Sequence, residues 1–310
     1  MLFILMFVLC ACAEESSISL GTAGEGGNYD LFGKEFAKIL SKKPYNINLQ
    51  VKTTAGSAAN IRLLSKNYLE LALAQSDIIH EMYYESQEDD VTGDYSAVAA
   101  LYPEPVQIIV RADSKISSVA DFAGETVSVG EEGSGIQRNA EQILQAYGFT
   151  SNMLTTENMT YAEASDALIE GKIDAMFCTA GVPTRTVQDL SEKIPVRLLS
   201  IDDREKELLT MAHGFYSDAV IPAGTYNGQD SDAETLAVQS VLICSNRLSE
   251  DTVYKITKAL FKERDDLSRA VPFEFNHAEK DSTGFVTIPF HPGAAKYYKE
   301  CGIELNTSGN

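Results

Sequence analysis

Short apolar segments alternate with amphipathic segments along most of this chain, and this alternation limits its fold more than any other feature. Residues 69–74 form a continuous apolar run of strand length, whereas 29–40 place apolar residues on one face at helical spacing. Strands that alternate with helices in this way are typical of α/β proteins. The sequence therefore predicts an α/β fold with largely parallel sheets.

The alternation restarts after the segment YPEP at 102–105, where two prolines predict a turn between two strands. A turn-rich stretch at 220–232 precedes the last strand and helix. We therefore expect a second lobe, residues 105–220, inserted into a first lobe of residues 18–104 plus 221–310. A chain that crosses twice between two lobes forms a hinge and a cleft, which is a preferred ligand site.

The charge balance excludes two classes of partner. The chain has a formal net charge of −20 at neutral pH and no basic cluster. Nucleic acid and anionic membrane surfaces would be repelled by such a protein. We expect neither as a partner.

The amino terminus reads as an export signal. Residues 2–9 are all apolar, but eight residues are too few to span a bilayer as a helix. The sequence Leu-Cys-Ala-Cys that ends at Cys12 resembles a bacterial lipobox, which predicts a signal segment at 1–12 and an acylated Cys12. An ordinary cleaved signal is the alternative. Either way, we expect an extracytoplasmic protein that is anchored to a membrane or free outside it, rather than spanning it.

A glycine-rich loop, with Gly21, Gly24, Gly26 and Gly27, precedes the first helix. The dinucleotide fingerprint would require glycine where Tyr29 stands, and the phosphate-loop motif also fails in register. The loop instead places a helix N-terminus, with its unpaired N–H groups and positive dipole end, beside glycines that allow close approach.

Four further strand-to-helix junctions share this small, polar character. They lie at 53–60, where Ser57 is a predicted N-cap, at 74–77, at 130–139 with Ser134 before the helix, and at 179–184 with Pro183 in the first turn. In open parallel sheets such junctions lie at the carboxyl edge, so those of the two lobes would face each other across the cleft. The pattern predicts an anion cradle built from backbone donors, with coincidental capping chemistry as the alternative.

With these junctions identified, the chain resembles the TAXI-type solute-binding proteins of tripartite ATP-independent periplasmic (TRAP) transporters. The resemblance rests on five segments in the family's order, which are GTAGEGGNYDLFGKEFAKIL, VKTTAGSAANIRLLSKNYLELALAQSD, ALYPEPVQIIVRADSKISSVADFAGETVSVGEEGSG, ALIEGKIDAMFCTAGVPT and IPAGTYNGQD. They cover most of residues 18–232. The carboxyl-terminal third matches only in outline.

The resemblance implies a two-lobed periplasmic-binding-protein fold of type II. It also implies a monomer that captures a small carboxylate or acidic amino acid, such as glutamate or glutamine, and delivers it to an ion-gradient-driven TRAP permease in the membrane. No cofactor, metal or catalytic residue is implied. The ligand contacts implied by matching motifs are Gly26, Gly27, Asn28, Tyr29, Ser57, Gln75, Ser76, Asp77, Tyr102, Gly133, Ser134, Gly135, Ala180, Gly181, Val182 and Pro183.

The chain departs from the family pattern at Asn28 and Ile136, two positions where the family often has a hydroxyl side chain. Tyr226 is a further candidate for the cleft wall, because its ring suits alkyl carbons and its hydroxyl suits a carboxylate. Arg138 and Arg185 are candidate partners for a ligand carboxylate, or else solvated helix residues.

An enzyme on the same fold is the rival class. The four histidines are scattered, no G-x-S-x-G motif is present, and Cys178 has no histidine near it in sequence. The spacing of Cys178, Cys244 and Cys301 does not suit a metal, and the first two lie in apolar runs that predict buried positions. A tethered sensory module that binds a ligand without transport is a further alternative.

Overall fold

The computed structural model describes residues 17–85, 93–273, 275 and 278–307. Its strands are β1 (Ile18–Gly21), β2 (Leu49–Lys52), β3 (Leu71–Gln75), β4 (Tyr95–Arg111), β5 (Thr126–Ser128), β6 (Thr155–Glu157), β7 (Ala175–Thr179), β8 (Val196–Leu199), β9 (Ser217–Ile221) and β10 (Ala233–Ser245). Its α-helices are α1 (Asn28–Leu40), α2 (Ser57–Ser65), α3 (Ser76–Tyr84), α4 (Gly135–Ala146), α5 (Tyr161–Ile169), α6 (Arg185–Lys193), α7 (Asp203–Ala212), α8 (Glu250–Lys262), α9 (Arg264–Ala270) and α10 (Pro292–Glu300). Short 3-10 helices lie at Val119–Phe122 and Asp281–Thr283.

Two long strands, β4 and β10, connect the two halves of the molecule. They pair antiparallel from Ala237 opposite Pro105 to Ser245 opposite Tyr95. The strand order is β2-β1-β3-β10-β4-β7-β5-β6, with β8 beside β4 and β9 beside β10. Parallel pairs join β1 to β2 and β3, and β5 to β6 and β7, as the sequence pattern predicts. The antiparallel connecting strands are the exception to that pattern.

The buried apolar side chains divide into two lobes. One cluster runs from Ile18 to Tyr102 and from Val241 to Tyr298, and it defines lobe 1. Two further clusters contain buried side chains from Val106 to Val238, and they define lobe 2. The α/β class and the two-lobed arrangement predicted from the sequence are thus confirmed.

The chain returns to lobe 1 later than the sequence pattern predicts. Residue 221 was the expected boundary, yet Leu236 and Val238 still pack in the core of lobe 2. The turn-rich stretch is the loop of a hairpin, because β9 pairs antiparallel with β10. The return crossing therefore lies within β10, between Val238 and Val241.

The predicted turn at YPEP is also wrong, since β4 runs unbroken through 102–105. Pro103 lies opposite Gln239 and Pro105 lies opposite Ala237. At these positions β4 pairs only with β10, and its pairing with β7 starts at Val106. Proline is tolerated in a strand where no second ladder needs its missing N–H. The two prolines mark the crossing between the lobes rather than a turn.

A buried polar network supports lobe 2 beneath the cleft. The Tyr226 hydroxyl donates to Gln107 Oε1 at 2.6 Å and accepts from the Thr184 backbone N–H at 2.9 Å. Gln107 Nε2 in turn donates to Thr184 Oγ1 at 2.8 Å and to the Ala180 carbonyl at 3.2 Å. The network ties β4 to the loop before α6. Tyr226 is 3% exposed, so it supports the cleft wall from behind instead of lining it.

We predict that Tyr226→Phe lowers the free energy of unfolding by about 1–3 kcal/mol, because a buried N–H and a buried amide oxygen lose their partner. Urea denaturation followed by circular dichroism measures the change. Tyr68→Phe, at a tyrosine that is 70% exposed, is the matched control. Equal stability of the two variants would contradict the proposed role of the network.

Candidate functional site

A cavity of about 250 Å³ lies between the lobes, next to the point where β4 crosses. Both lobes contribute to its wall, mainly through the junctions at which strands end and helices begin. The lining residues are Ala23, Gly24, Glu25, Gly27, Asn28, Tyr29, Ala55, Gly56, Ser57, Gln75, Glu104, Glu131, Ser134, Gly135, Ile136, Met159, Thr160, Tyr161, Ala162, Thr179, Ala180 and Thr186.

Helix N-termini from both lobes point at this cavity. In lobe 1, α1 and α2 follow the N-cap residues Gly27 and Gly56, and neither helix receives a side-chain capping bond. In lobe 2, Ser134 accepts from the Gln137 N–H at 3.1 Å and Thr160 caps α5 in the same manner. The first-turn N–H groups of α1 and α2 thus need partners from water or a ligand.

The glycine loops of the two lobes face each other closely. Gly56 has a φ of 107°, and a Cβ added there would lie 3.8 Å from Ser134 Cβ. A Cβ on Gly135 would overlap the Gln75 side-chain amide. Glycine at position 135 therefore lets the start of α4 approach lobe 1. This agrees with the prediction that the junctions of the two lobes face each other across the cleft.

Half of the residues expected to contact a ligand lie in this cavity wall. They are Gly27, Asn28, Tyr29, Ser57, Gln75, Ser134, Gly135 and Ala180. Ser57 is not the N-cap that the sequence predicts, because Gly56 holds that position. The Ser57 hydroxyl instead accepts from the Gln75 backbone N–H at 3.1 Å and joins α2 to the end of β3.

The other lobe 1 candidates lie outside the cavity wall. The Gly26 N–H donates to Asp30 at 2.9 Å. Ser76 is buried and accepts from the Gln239 N–H on β10 at 3.1 Å. The Tyr102 ring is fully buried, and its centroid lies 4.1 Å from the centroid of the Phe273 ring.

The remaining lobe 2 candidates also lie outside the cavity wall. Gly133 borders a separate, more open depression of about 360 Å³ between the lobes. The Gly181 carbonyl accepts from Asn28 Nδ2 at 2.8 Å. Gly181 thus contacts a lining residue without lining the cavity itself. Val182 and Pro183 lie between that contact and α6. Pro183 is not in the first turn, since α6 begins at Arg185.

Neither candidate arginine reaches the cavity. Arg138 is paired with the Glu81 carboxylate through Nη2 at 2.8 Å and Nε at 2.9 Å. Arg185 is exposed and lies 3.9 Å from Asp189. Both are committed to carboxylates of the protein, and Arg138 thereby joins lobe 2 to lobe 1. No lysine, arginine or histidine is among the described residues that line the cavity.

Glu104 and Tyr161 line the cavity, although the sequence suggests Glu104 only as a carboxylate pair with Asp77 in an enzyme and does not indicate Tyr161 at all. Glu104 Oε2 accepts from the Tyr29 hydroxyl at 3.0 Å, and burial raises the pKa of the Glu104 carboxyl well above its ordinary value. The Tyr161 hydroxyl donates to the Thr179 carbonyl at 3.1 Å. A glutamate between two prolines in an apolar strand was the available signal for Glu104. The capping box of Thr160 and Glu163 was the signal for Tyr161.

Buried hydrogen bonds hold the two lobes together beside the cavity. Asn139 Nδ2 of α4 donates to Asp77 Oδ2 of α3 at 2.7 Å and to the Tyr216 hydroxyl at 2.9 Å. Asp77 Oδ1 is buried with no hydrogen-bond partner among the described residues. Burial raises the pKa of Asp77 to about 6, against a smaller lowering by Asn139.

The cysteines in the described part of the chain are free. Cys178 and Cys244 are fully buried, which confirms the prediction from their apolar surroundings, and Cys301 is exposed. Burial raises the pKa of the Cys178 thiol to about 12, so the thiolate needed for nucleophilic attack is scarce at neutral pH. His277 lies outside the described residues, as does the amino-terminal segment with Cys12.

The described residues have the fold of periplasmic binding proteins, and solved structures of such proteins match over most of their length. Periplasmic binding protein BugD matches with a TM-score of 0.58 at 14% identity, covering 93% of this chain and 98% of its own. The alkanesulfonate-binding protein SsuA from Xanthomonas axonopodis pv. citri, bound to MOPS, matches with a TM-score of 0.52 at 14% identity, over 93% and 92%. A binding protein component of an ABC phosphonate transporter from Pseudomonas aeruginosa matches with a TM-score of 0.53 at 14% identity. The match covers 86% of this chain and 83% of that protein.

A family model also matches most of the chain. The model of the NMT1-like family matches residues 20–302, so the chain belongs to that family. In the ranges that the structure describes, no helix combines the length and apolar character needed to cross a membrane.

We predict that Asp77→Asn stabilises the protein increasingly as the pH rises from about 4 to 7. A folded-state pKa near 6, above the usual value of 3.8, means that the native state binds a proton that the unfolded chain has lost. The stability that wild-type Asp77 contributes in its protonated form is fully present below pH 4 and is lost as the pH rises through 6. The difference between these two pKa values corresponds to roughly 3 kcal/mol.

Urea denaturation of wild type and Asp77→Asn at several pH values measures the difference. Asp218→Asn, at an exposed position of β9, controls for the loss of one negative charge. A stability difference between Asp77→Asn and wild type that stays constant with pH would refute the prediction.

Proposed function

We propose that this protein is an extracytoplasmic solute-binding subunit that holds a small carboxylate in the interlobe cavity. The observation that carries the proposal is the pair of uncapped helix N-termini, α1 and α2, at a cavity whose opposite wall carries the N-termini of α4 and α5. Helix N-termini favour anions through their free N–H groups and their dipoles. A protein of net charge −20 can bind an anion in this way because the donors are local.

The size and lining of the cavity favour an amino acid of the glutamate or glutamine type. A volume of about 250 Å³ suits a small molecule, and alanine, glycine, Ile136 and Met159 provide apolar surface for its carbon chain. The Tyr29 and Tyr161 rings combine apolar faces with polar ends. The TAXI resemblance supports the same ligand class.

The partner in this proposal is a TRAP permease in the membrane, which the resemblance of the five segments supports. Binding proteins of ABC transporters share the fold, so the fold itself does not discriminate between the two kinds of transporter. We expect a ligand cavity between two lobes in a binding protein of either kind of transporter. The permease assignment rests on the segments alone.

We predict that L-glutamate, L-glutamine or a related small carboxylate raises the melting temperature of the purified protein. A ligand that binds only the native state at 100 times its Kd adds about 2.7 kcal/mol to the free energy of unfolding. A thermal-shift screen of amino acids and organic acids, with uncharged sugars as controls, provides the test. The absence of a shift with every carboxylate would refute the proposed function.

Two variants at one position test the role of the helix N-terminus. Ser57 is the first residue of α2, where proline removes the N–H and fits the helix geometry. Ser57→Pro and Ser57→Ala both lose the hydroxyl bond to Gln75, but only proline loses the backbone donor. We expect Ser57→Pro to bind the carboxylate about 10-fold or more weakly than Ser57→Ala, since a hydrogen bond to a charged group contributes roughly 1.5–3 kcal/mol.

The proposal includes a lipid anchor on Cys12, which the lipobox-like sequence supports. We predict that Cys12→Ser moves the expressed protein from the membrane fraction to the soluble fraction, because it removes the acylated thiol. Cys301→Ser, at the exposed free cysteine, is the control. Unchanged partitioning of Cys12→Ser would refute lipidation at this cysteine.

A further inference from the structure

The charges that line the cavity are the starting point. Glu25, Glu104 and Glu131 line it, and among its described lining residues no cationic side chain balances them. Glu25 and Glu131 retain exposure to solvent, whereas Glu104 is 2% exposed. Glu104 is therefore the most deeply buried of the three carboxylates.

The Glu104 carboxylate has a free acceptor site. Tyr29 donates to Oε2, and the structure shows no hydrogen-bond donor to Oε1 among the described residues. Burying a carboxylate without a cation or a full set of donors is costly. Burial raises the pKa of Glu104, so its charged form needs a cationic partner, which a ligand in the cavity can supply.

Three residues of the same cavity wall carry unpaired acceptors. Asn28 Oδ1, Gln75 Oε1 and Thr179 Oγ1 are buried and have no hydrogen-bond partner within the described part of the chain. Together with Glu104 they form a set of oxygen atoms able to accept hydrogen bonds. An ammonium group offers three N–H donors and a positive charge, and it accepts nothing.

We propose that Glu104, oriented by Tyr29, accepts the ammonium group of the ligand and makes the site selective for amino acids over carboxylates that lack an amine. The inference rests on the proposed function and narrows its substrate class. The uncapped N-termini of α1 and α2 receive the carboxylate, and Glu104 receives the opposite charge. A ligand with carboxylates alone would bring a second negative charge to Glu104 with no cation between them.

Isothermal titration with L-glutamate and glutarate tests this inference directly, because the two differ only in the amine. L-leucine and 4-methylpentanoate form a second such pair with an apolar side chain. For whichever of the two pairs the wild type binds, we expect the amino acid to bind at least 100-fold more tightly than the matching carboxylate without an amine. Equal affinities would overturn the inference while leaving the proposed carboxylate site intact.

Glu104→Gln keeps the shape of the side chain and the acceptor for Tyr29 but removes the charge. We expect it to weaken amino-acid binding about 100-fold and to leave binding of the deaminated counterpart unchanged or tighter. Glu132→Gln, in the neighbouring glycine loop but outside the cavity lining, controls for net charge and should keep the wild-type preference. Circular dichroism checks that each variant is folded.

Two outcomes would contradict the assignment in different ways. An undiminished preference for the amino acid in Glu104→Gln would place the ammonium site elsewhere in the cavity. Tighter binding of glutarate than of glutamate by the wild type would mean that Glu104 is protonated and donates to a carboxylate. If no carboxylate of either kind binds, the proposed function itself fails.

Discussion

The pairing of β4 with β10 is the constraint on which the rest of the structure depends. Both strands continue from the core of one lobe into the core of the other, so the lobes share one sheet rather than meeting through loops. Along β4, Tyr102 packs in lobe 1, Glu104 lines the cavity, and Gln107 anchors the polar network of lobe 2. These three roles lie within six residues of one strand, at the point where it passes from lobe 1 to lobe 2.

The junctions of strands and helices were readable from the sequence because their chemistry is local. Ser134 caps α4, and Gly148, with a φ of 82°, follows that helix, as glycine and serine predict. Contacts between distant segments were not readable. Nothing near Arg138 in sequence indicates that Glu81 holds it, and nothing in YPEP shows that β10 pairs with both prolines. Those contacts exist only once the lobes are assembled.

An acidic protein that binds an acid, as we propose for this chain, must separate its own charges from those of the ligand. In the cavity, helix N-termini occupy the walls contributed by both lobes, while Glu104 lies on the crossing strand. The donors are backbone groups held by helices, so they need no rearrangement to receive an anion. The cavity wall thus carries both free N–H donors and a carboxyl group, and the Tyr29 hydroxyl joins the first turn of α1 to Glu104.

Interlobe hydrogen bonds join the two walls of the cavity in this structure. Asn139 bridges Asp77 of lobe 1 and Tyr216 of lobe 2, and Asn28 reaches the Gly181 carbonyl. These bonds favour the closed arrangement, while the buried Asp77 carboxylate, with one oxygen unpaired, opposes it. A ligand shifts such an equilibrium only by its differential affinity for the two states. A ligand that contacts both cavity walls would favour the arrangement of the lobes seen here, because those contacts exist only when the two walls are together.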